Sequence, residues 1–544
     1  MQDRAGVVYT RRWVVDMILD AVGYTPDKNL LALKILEPSC GNGAFLEAIV
    51  ERLCESVDRN GDRETDLDGC ILAVDIDPES IEGCRCIISD ILTVRGFDDA
   101  SVERLSSSWL RREDFILSEP GSFDFVVGNP PYISSDEIPE ERRHQYCDVL
   151  DSYSMGTDIY VGFIEKGLRC LNGTGKLCYI CADRWMQNRY GMELRSFISA
   201  SYGMELVCRM HGVDAFDSDV SAYPAVILIG RPRQMCRYIE CEPDFRPEDA
   251  PALVESLEGP PVQGMGFRSY DIAVGGDRPW CISDGRTADL VAVMKSMFPS
   301  LEESGATIGI GIATGRDSVF ITEEPGIVEP DRLVPIIRKS DIVQARMPEK
   351  PRAWLVNPWK ADGTLVDLSD HPLLRGYLES NRDSLGSRHV ARRNPSTWYR
   401  TIDRWNPSLA GRPKLLMPDL SAHPEPYLDD GGYYPSHNMY WLASDTWDLE
   451  VLGGILLSEQ VERFIGAVGV KMRGGTLRCQ AQYLRMLHVP YPWDLAAGEA
   501  EGFRRAFRER DRKAATMFMD SVISRRSVDE RGYEKGAAGI VYNT

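Results

Sequence analysis

ILEPSCGNGAF, at residues 35–45, predicts a β-strand, a glycine turn and the start of a helix. Gly41 and Gly43 permit a positive φ and let a ligand approach the backbone closely. The start of the helix offers unpaired N–H groups to the same ligand. The third glycine of the dinucleotide fingerprint is missing, so a purely structural turn remains an alternative. The helix is indicated by apolar residues on one face, namely Phe45, Leu46, Ile49, Val50 and Leu53.

Two acidic residues follow this turn at positions where ligands of α/β proteins are bound. ILAVDIDP, at residues 71–78, predicts a second strand that ends in Asp75, an acid suited to the two hydroxyls of a ribose. Asp114 stands just before the next predicted strand. An acid at the end of a strand is often only solvated. The order and spacing of Asp75 and Asp114 behind the glycine turn favour ligand contacts for both.

A third segment, FDFVVGNPPY at residues 123–132, predicts a buried strand that ends in two prolines. Two successive prolines cannot continue a sheet, so the turn presents a carboxamide, carbonyl groups and an aromatic face at the carboxyl edge. The Asn129 side-chain oxygen and the Pro130 carbonyl can accept both hydrogens of an exocyclic amine, with Tyr132 stacked on the attached ring. The alternative is a proline turn without a ligand.

Composition and charge limit the class of protein. The 544 residues allow two or three domains, and the absence of a signal segment or a long apolar run predicts a cytoplasmic location. The 14 cysteines are scattered without metal-ligand spacing, which indicates reduced core residues and no metal site. Cys178 and Cys181 are expected on opposite faces of one strand. The net charge of −21 argues against a nucleic-acid partner in general.

The distribution of the charge answers part of this objection. Residues 382–414 are rich in arginine and contain Trp398, Tyr399 and Trp405, a combination that favours a nucleic-acid groove over a merely solvated face. A second basic cluster occupies residues 471–478, in a glycine-bearing loop suited to follow a nucleic-acid backbone. The predicted DNA-binding residues in these two regions are Arg392, Arg393, Arg400, Arg404, Lys471, Arg473 and Arg478.

The chain is predicted to contain four regions. Residues 1–240, which carry the motifs at the ends of the predicted strands, form a first domain, and residues 241–285, rich in proline, glycine and acids, form a connecting segment. Residues 286–493 form a second domain, and residues 494–544 a helical tail. Within this tail, the charged stretch 503–519 is expected to be a helix with a solvated surface.

The ordered motifs, together with Tyr9-Thr10 near the start, resemble those of S-adenosylmethionine-dependent DNA adenine methyltransferases of the gamma, TaqI-like subgroup. The resemblance implies a Rossmann-like class I methyltransferase sheet with helices on both faces, followed by a mixed α+β target-recognition domain for DNA. The chain departs from the family at one point, since the usual Tyr-Thr-Pro is Tyr9-Thr10-Arg11 here.

The resemblance also implies a reaction and its residues. A methyl group would pass from S-adenosylmethionine to N6 of an adenine that has been flipped out of duplex DNA, as in the modification enzyme of a type II restriction-modification system. Tyr132 and Phe216 would stack on the two faces of the base. The catalytic residues would be Asn129, Pro130, Pro131 and Tyr132. The cofactor would contact Tyr9, Thr10, Glu37, Pro38, Cys40, Gly41, Gly43, Asp75, Ile76, Asp114 and Phe115.

The expected partners are double-stranded DNA, bound by a monomer, and a separately encoded restriction endonuclease. Asn-Pro-Pro-Tyr also occurs in methyltransferases of RNA adenine or of a protein glutamine amide, which are usually shorter and lack a large basic C-terminal domain. An alternative of another class is a non-catalytic DNA-recognition protein. It would not bind the cofactor, and the intact motifs at Gly41, Asp75 and Asn129 argue against it.

Overall fold

The computed structural model describes residues 9–60, 67–217, 224–264, 266–342, 346–469 and 477–537. The chain divides into two compact units, Met1–Ala288 and Asp289–Thr544. Among the described residues, no helix combines the length and the apolar character needed to cross a bilayer.

The described part of the first unit is built on one large sheet. Its strand order is β3-β2-β1-β4-β5-β7-β6-β8-β10-β9, and β1 to β5 are mutually parallel. Strand β7 runs antiparallel between β5 and β6. The strands are β1 (Ile35–Glu37), β2 (Ile71–Asp75), β3 (Leu110–Arg112), β4 (Phe123–Gly128), β5 (Leu171–Ala182), β6 (Gly203–Arg209), β7 (Pro224–Gly230), β8 (Met235–Cys241), β9 (Gln263–Gly264) and β10 (Phe267–Ala273).

Helices cover both faces of this sheet. One apolar cluster joins the sheet to α1, α2, α3 and α4, and a second joins it to α6 and α7. Neighbouring residues of a strand point to opposite clusters, as Ile35 and Leu36 do. The helices of this unit are α1 (Arg12–Val22), α2 (Ala44–Asn60), α3 (Pro78–Val94), α4 (Asp99–Trp109), α5 (Glu140–Val149), α6 (Ile159–Arg169), α7 (Met192–Ser201) and α8 (Ala250–Glu255). Helix α9 (Gly285–Met297) begins in this unit and ends in the second one.

The predicted α/β sheet with helices on both faces is confirmed. The two cysteines of β5 lie on opposite faces as predicted, because Cys178 belongs to the first cluster and Cys181 to the second. All 14 cysteines are free thiols. In the described residues, no group of three or more histidine, cysteine, aspartate or glutamate side chains could hold a metal ion.

Residues 241–285 do not form the predicted connecting segment. Strand β10 pairs antiparallel with β8 along its whole length and so extends the sheet. Trp280 and Ile282 are buried in the second cluster, where the Trp280 ring lies 5.4 Å from that of Trp185. The proline, glycine and acids of this region suggested a linker, although Phe267 is buried in the first apolar cluster and Ile272 in the second. The first unit therefore extends to Ala288.

The described part of the second unit mixes small sheets with short helices, as expected. Its sheets are ordered β11-β19-β15-β17, β12-β14-β13-β18 and β16-β20. The strands are β11 (Ala306–Ile310), β12 (Ile321–Thr322), β13 (Leu333–Ile337), β14 (Ala353–Val356), β15 (Lys414–Pro418), β16 (Leu420–Ser421), β17 (Tyr427–Asp429), β18 (Tyr434–Pro435), β19 (Met439–Ser444) and β20 (Leu477–Arg478). The helices are α10 (Asp317–Phe320), α11 (Pro372–Ser380), α12 (Arg382–Gly386), α13 (His389–Arg393), α14 (Leu449–Leu456), α15 (Glu459–Val468), α16 (Ala481–Arg485), α17 (Ala497–Glu509) and α18 (Arg512–Ala537).

The C-terminal helices are part of the packed core of this unit, so the expectation of a solvated helix is wrong. Phe503, Phe507 and Met519 are buried. Helix α17 lies so close to α14 that a Cβ at Gly454 would stand 2.2 Å from the Phe503 carbonyl oxygen. The apolar face of α17 was not evident from the sequence, because charged residues predominate in it. Arg504 pairs with Asp448, the N-cap of α14, and Arg508 pairs with Glu450 of α14.

A buried ion pair joins β15 to β17. Lys414 Nζ lies 2.6 Å from Asp429 Oδ2, and the two side chains are 0% and 3% exposed. Asp429 also accepts the N–H groups of Gly432 and Tyr433, at 2.9 and 3.3 Å. Removal of one partner from such a pair leaves a charge without compensation in the interior.

We expect Lys414→Met to lower the free energy of unfolding of this unit by about 3–5 kcal/mol, as measured by urea denaturation. The double variant Lys414→Met/Asp429→Asn should recover at least half of the loss, because it removes the second charge as well. Arg375→Met, which breaks the exposed pair with Glu379, should cost less than about 1 kcal/mol. A cost for Lys414→Met as small as that of Arg375→Met would contradict this interpretation.

Candidate active site

The loops that follow β1, β2 and β4 meet at the carboxyl edge of the sheet, where they surround a pocket. Parallel neighbouring strands place their carboxyl ends at the same edge, which explains why motifs distant in sequence come together. The pocket is lined by Tyr9, Thr10, Glu37, Ser39, Cys40, Gly41, Asn42, Ala44, Phe45, Asp75, Asn129, Pro130, Pro131 and Tyr132.

The glycine turn between β1 and α2 forms one wall of the pocket. Gly41 and Gly43 have φ angles of 50° and 85°, and the Gly43 N–H donates to the Cys40 carbonyl at 2.7 Å. A Cβ at Gly43 would stand 2.6 Å from Ile87 Cδ1 of α3, whereas a Cβ at Gly41 would meet no atom within 4 Å. Gly43 is therefore required by the turn and by helix packing, and Gly41 leaves room on the pocket side.

Asp75 connects the end of β2 to this turn. Its Oδ2 accepts the Gly41 N–H and its Oδ1 accepts the Asp77 N–H, both at 2.9 Å. The next residue, Ile76, is 56% exposed although it is apolar. Together they form an oriented carboxylate beside an exposed apolar side chain, which suits a ligand with hydroxyl groups and a flat ring.

Glu37 is a buried acid in the wall of the pocket. Its side chain is 2% exposed, and its Oε2 has no hydrogen-bond partner within the described residues. Burial raises the pKa of the Glu37 carboxyl well above its ordinary value, and Cys84 and Asp75 raise it further. A buried carboxyl of this kind is costly when it is charged alone and is favourable beside a cationic ligand group.

Hydrogen bonds hold Asn129 at the end of β4 from two sides. Its Nδ2 donates to Thr10 Oγ1 at 3.1 Å, and its backbone carbonyl accepts the Ser39 hydroxyl at 3.2 Å. Thr10 is 5% exposed. Because Thr10 takes the amide nitrogen, the orientation of the carboxamide is fixed before any ligand binds.

Tyr132 and Phe216 form an aromatic pair beside Asn129. Their ring centroids are 6.3 Å apart and their planes are inclined by 83°. Burial raises the pKa of the Tyr132 hydroxyl well above its ordinary value, so the ring stays neutral. Phe216 is 6% exposed, belongs to the first apolar cluster and does not line the pocket.

Asp114 lies outside the pocket lining and is engaged by α5. Its Oδ1 accepts the Ile116 N–H at 3.1 Å, its Oδ2 accepts the Tyr146 hydroxyl at 2.9 Å, and Arg142 forms an ion pair with it. The neighbouring Phe115 is 2% exposed and belongs to the second apolar cluster, which makes its side chain a core residue.

The structure thus gathers most of the predicted cofactor and catalytic residues, with exceptions. The predicted residues outside the lining are Pro38, Gly43, Ile76, Asp114, Phe115 and Phe216. Sequence analysis missed Ser39, whose hydroxyl inside the glycine turn was the available signal. It also missed Arg142 and Tyr146, for which the sequence gives no signal, since their contact with Asp114 depends on where α5 lies.

The predicted basic surface of the second unit is present in part. Within the described residues, Arg392, Arg393, Arg400 and Arg404 have no carboxylate within 4.0 Å. The guanidinium groups of Arg400 and Arg404 lie 5.5 and 5.6 Å from the ring centroid of Trp359.

Other residues of the basic segments have different roles. Arg388 is 7% exposed and donates to the carbonyls of Thr314 and Trp398, so it is structural. Arg478 pairs with Asp419 at 2.9 Å. Lys471 and Arg473 lie outside the described residues.

Comparison with known proteins identifies the family of this chain. The family model of the Eco57I restriction-modification methylase matches residues 69–216. The chain is 39% identical over 492 residues to the type II methyltransferase M.PaeR7I of Pseudomonas aeruginosa, covering 89% of this chain and 86% of the relative. It is 36% identical over 530 residues to the type II methyltransferase M.XhoI of Xanthomonas vasicola, covering 95% and 96%.

The fold is also that of a solved restriction-modification enzyme. The type IIL enzyme MmeI, determined in complex with DNA, aligns with a TM-score of 0.59 at 12% identity, over 95% of this chain and 72% of that one. Family and fold together define a methyltransferase domain built on an α/β sheet, followed by an additional domain with β-sheets. The chain belongs to the type II methyltransferases of restriction-modification systems.

The raised pKa of Glu37 predicts how stability depends on pH. The folded protein holds the Glu37 proton more tightly than the unfolded chain, whose carboxyl has the ordinary value of 4.5. Glu37 therefore stabilises the fold fully below pH 4.5, and this contribution is lost as the pH rises towards the raised value. Glu37→Gln keeps the shape of the side chain and removes the ionisation.

We measure the unfolding midpoint of Glu37→Gln minus that of the wild type, both without ligand. We expect this difference to increase as the pH rises from 4.5 to about 8. Glu82→Gln is the matched control, because the Glu82 side chain is 71% exposed. Parallel pH curves for the wild type and Glu37→Gln would show that the carboxyl ionises as freely in the folded protein as in the unfolded chain.

Proposed function

We propose that this protein transfers a methyl group from S-adenosylmethionine to N6 of an adenine flipped out of double-stranded DNA, as the modification enzyme of a type II restriction-modification system. The observation that carries the proposal is the fixed Asn129 carboxamide, which faces the same pocket as the glycine turn and Asp75. A carboxamide, a proline carbonyl and an aromatic ring suit a planar exocyclic amine.

The residues of the pocket fit the cofactor. The Glu37 carboxyl, buried and with one oxygen unpartnered within the described residues, suits the ammonium group of its methionine part. Asp75 suits the ribose hydroxyls, and the exposed Ile76 suits one face of the adenine ring. The turn at Gly41 offers the backbone to the methionine part. Asp114, which is outside the pocket lining, is assigned to the adenine amine of the cofactor. When bound, the cofactor supplies an electrophilic methyl group.

The role of Asn129 and Pro130 is to orient the target amine. The lone pair of this amine is delocalised into the ring, which makes the nitrogen a poor nucleophile. Acceptance of both N–H bonds by the Asn129 side-chain oxygen and the Pro130 carbonyl favours a pyramidal nitrogen with its lone pair exposed. Thr10 holds the other end of the carboxamide, so little reorganisation is needed. Tyr132 lines the pocket beside Asn129 and Pro130, and its ring is assigned to stack on the target base.

We expect Asn129→Ala to lower kcat for methyl transfer to DNA by about 10²–10³-fold, because an acceptor positioned for the reacting amine is lost. Its dissociation constant for S-adenosylmethionine should stay within about twofold of the wild-type value, since the variant leaves Asp75 and Glu37 in place. The two quantities are measured by transfer of a labelled methyl group and by calorimetry.

Asn381→Ala is the control, because Asn381 lies in the second unit, where its side chain donates to the Tyr377 carbonyl. Equal losses of turnover and cofactor affinity in Asn129→Ala would contradict the assigned role. Cofactor binding by the wild type without transfer to DNA would favour RNA adenine or a protein amide as the substrate. DNA binding without cofactor binding would favour a recognition protein without catalysis.

We further propose that the second unit binds the DNA. Arginines that have no carboxylate partner among the described residues leave positive charge available to phosphates even in a chain of net charge −21. Arg392 and Arg393 are exposed on α13. Arg400 and Arg404 lie over Trp359, and arginine over an aromatic ring is also a suitable surface for nucleic acid.

Replacement of Arg392 and Arg393 by glutamine tests this surface. The salt dependence of DNA binding should become shallower by about 2 in the slope of log K against log salt concentration, since each phosphate contact contributes about 0.9. The measurement is fluorescence anisotropy between about 50 and 200 mM KCl.

The double variant Arg375→Gln/Arg412→Gln is the matched control, because both residues are already paired with acids, Glu379 and Asp445. An unchanged slope in the Arg392/Arg393 variant would remove α13 from the proposed interface.

We place this activity in the cytoplasm, where the protein acts on DNA as a monomer. A separately encoded restriction endonuclease would act on the same DNA sequence. The support is the family, since the similar proteins are type II methyltransferases.

A further inference from the structure

Residues 9–11 pair with the segment that carries Phe216. Thr10 and Phe216 form an antiparallel bridge. The Arg11 N–H donates to the Ala215 carbonyl and the Asp217 N–H donates to the Tyr9 carbonyl, both at 3.1 Å. A short backbone ladder therefore joins the start of the described chain to a loop more than 200 residues away.

The Arg11 side chain reinforces this ladder at the position of the aromatic ring. Its Nε donates to the Phe216 carbonyl at 3.0 Å. Its Nη2 lies 2.6 Å from Asp214 Oδ2, and its Nε lies 3.8 Å from Asp217 Oδ1. One guanidinium group thus binds the residue that carries the ring and the acids on both sides of it.

Two residues of the segment 9–11 also contact the pocket. Tyr9 and Thr10 line it, and Thr10 accepts the hydrogen bond from Asn129. On the other side of the ladder, Phe216 contacts Tyr132 edge to face. The segment 9–11 is therefore bound both to the carboxamide that faces the pocket and to the loop with the second aromatic ring.

The geometry points to Arg11 as a positioning residue that fixes Phe216 relative to Asn129 and Tyr132 and so sets the slot for the extruded base. This inference rests on the proposed function, because it assigns Phe216 to the target base. Proline, which stands at this position in the family that the motifs resemble, has neither the backbone N–H nor the side-chain donors that Arg11 uses.

The exposure of its ion pairs indicates that Arg11 acts on the position of Phe216 and not on the global stability of the fold. The Arg11 side chain is 40% exposed, and those of Asp214 and Asp217 are 76% and 63% exposed. Ion pairs this exposed contribute little to global stability. The charge-assisted hydrogen bond to the Phe216 carbonyl acts instead on the position of one short loop.

A double-mutant cycle with Phe216 tests the inference. Arg11→Ala should lower kcat for DNA methylation about tenfold and leave the dissociation constant for S-adenosylmethionine within about twofold of the wild-type value. In the Phe216→Ala background the same change should cost less than about twofold, because a residue that acts through Phe216 has nothing left to position. The unfolding midpoint of Arg11→Ala should match that of Arg12→Ala, a neighbouring variant that also breaks exposed ion pairs.

Arg12→Ala should keep the wild-type turnover. Arg11→Gln, which retains a side-chain donor, should recover part of the loss, and it serves as the second probe if Arg11→Ala fails to fold. Equal costs of Arg11→Ala with and without Phe216, in an active wild type, would overturn the role of Arg11 alone. Absence of methyl transfer to DNA by the wild type would overturn this inference and the proposed function together.

Discussion

The hydrogen bond from Asn129 Nδ2 to Thr10 Oγ1 is the contact on which the arrangement of the site depends. It joins the end of β4 to the segment before α1, and that segment in turn pairs with the loop of Phe216. Ser39 binds the Asn129 carbonyl from the glycine turn, and Asp75 binds the Gly41 N–H. The glycine turn, the carboxamide and the aromatic loop are thereby linked by hydrogen bonds of side chains and of the backbone, so their relative positions are set by the fold.

Charged side chains are arranged differently in the two units. In the first, acids near the pocket are oriented by backbone N–H groups, as at Asp75, or are buried, as at Glu37. In the second, the arginines around α13 lack acidic partners within the described residues, whereas Arg412 and Arg478 are paired. Net charge alone therefore predicts little about a nucleic-acid partner, because the relevant quantity is the local balance of charges that remain unpaired.

Local sequence sufficed for the features that depend on a few consecutive residues. Two features were predictable in this way, namely the strand, turn and helix at residues 35–45 and the strand before Asn129. The period of the apolar residues and the chemistry of a turn are both properties of consecutive residues. The strand at Phe267–Ala273 was missed, because its composition resembles a linker and its pairing with β8 lies outside the segment. The buried face of α17 was missed, because arginines dominate its sequence and its packing partner α14 lies about fifty residues earlier.

The candidate site likewise has features that local sequence predicted and features that depend on distant contacts. The motifs placed Asn129, Asp75 and Gly41 in one pocket, because parallel strands bring their carboxyl ends together. The contacts of Arg11 with Phe216 and of Arg142 with Asp114 were not predictable, since each depends on the path of a loop or helix in three dimensions.

The most direct test is single-molecule sequencing of plasmid DNA from cells that express the protein, with methylated adenines scored by their sequence context. The account predicts methyl marks on adenine within one short sequence and their absence when Asn129 is replaced by alanine. Marks on another base, or unmarked DNA from cells whose purified protein binds S-adenosylmethionine, would contradict the proposed reaction.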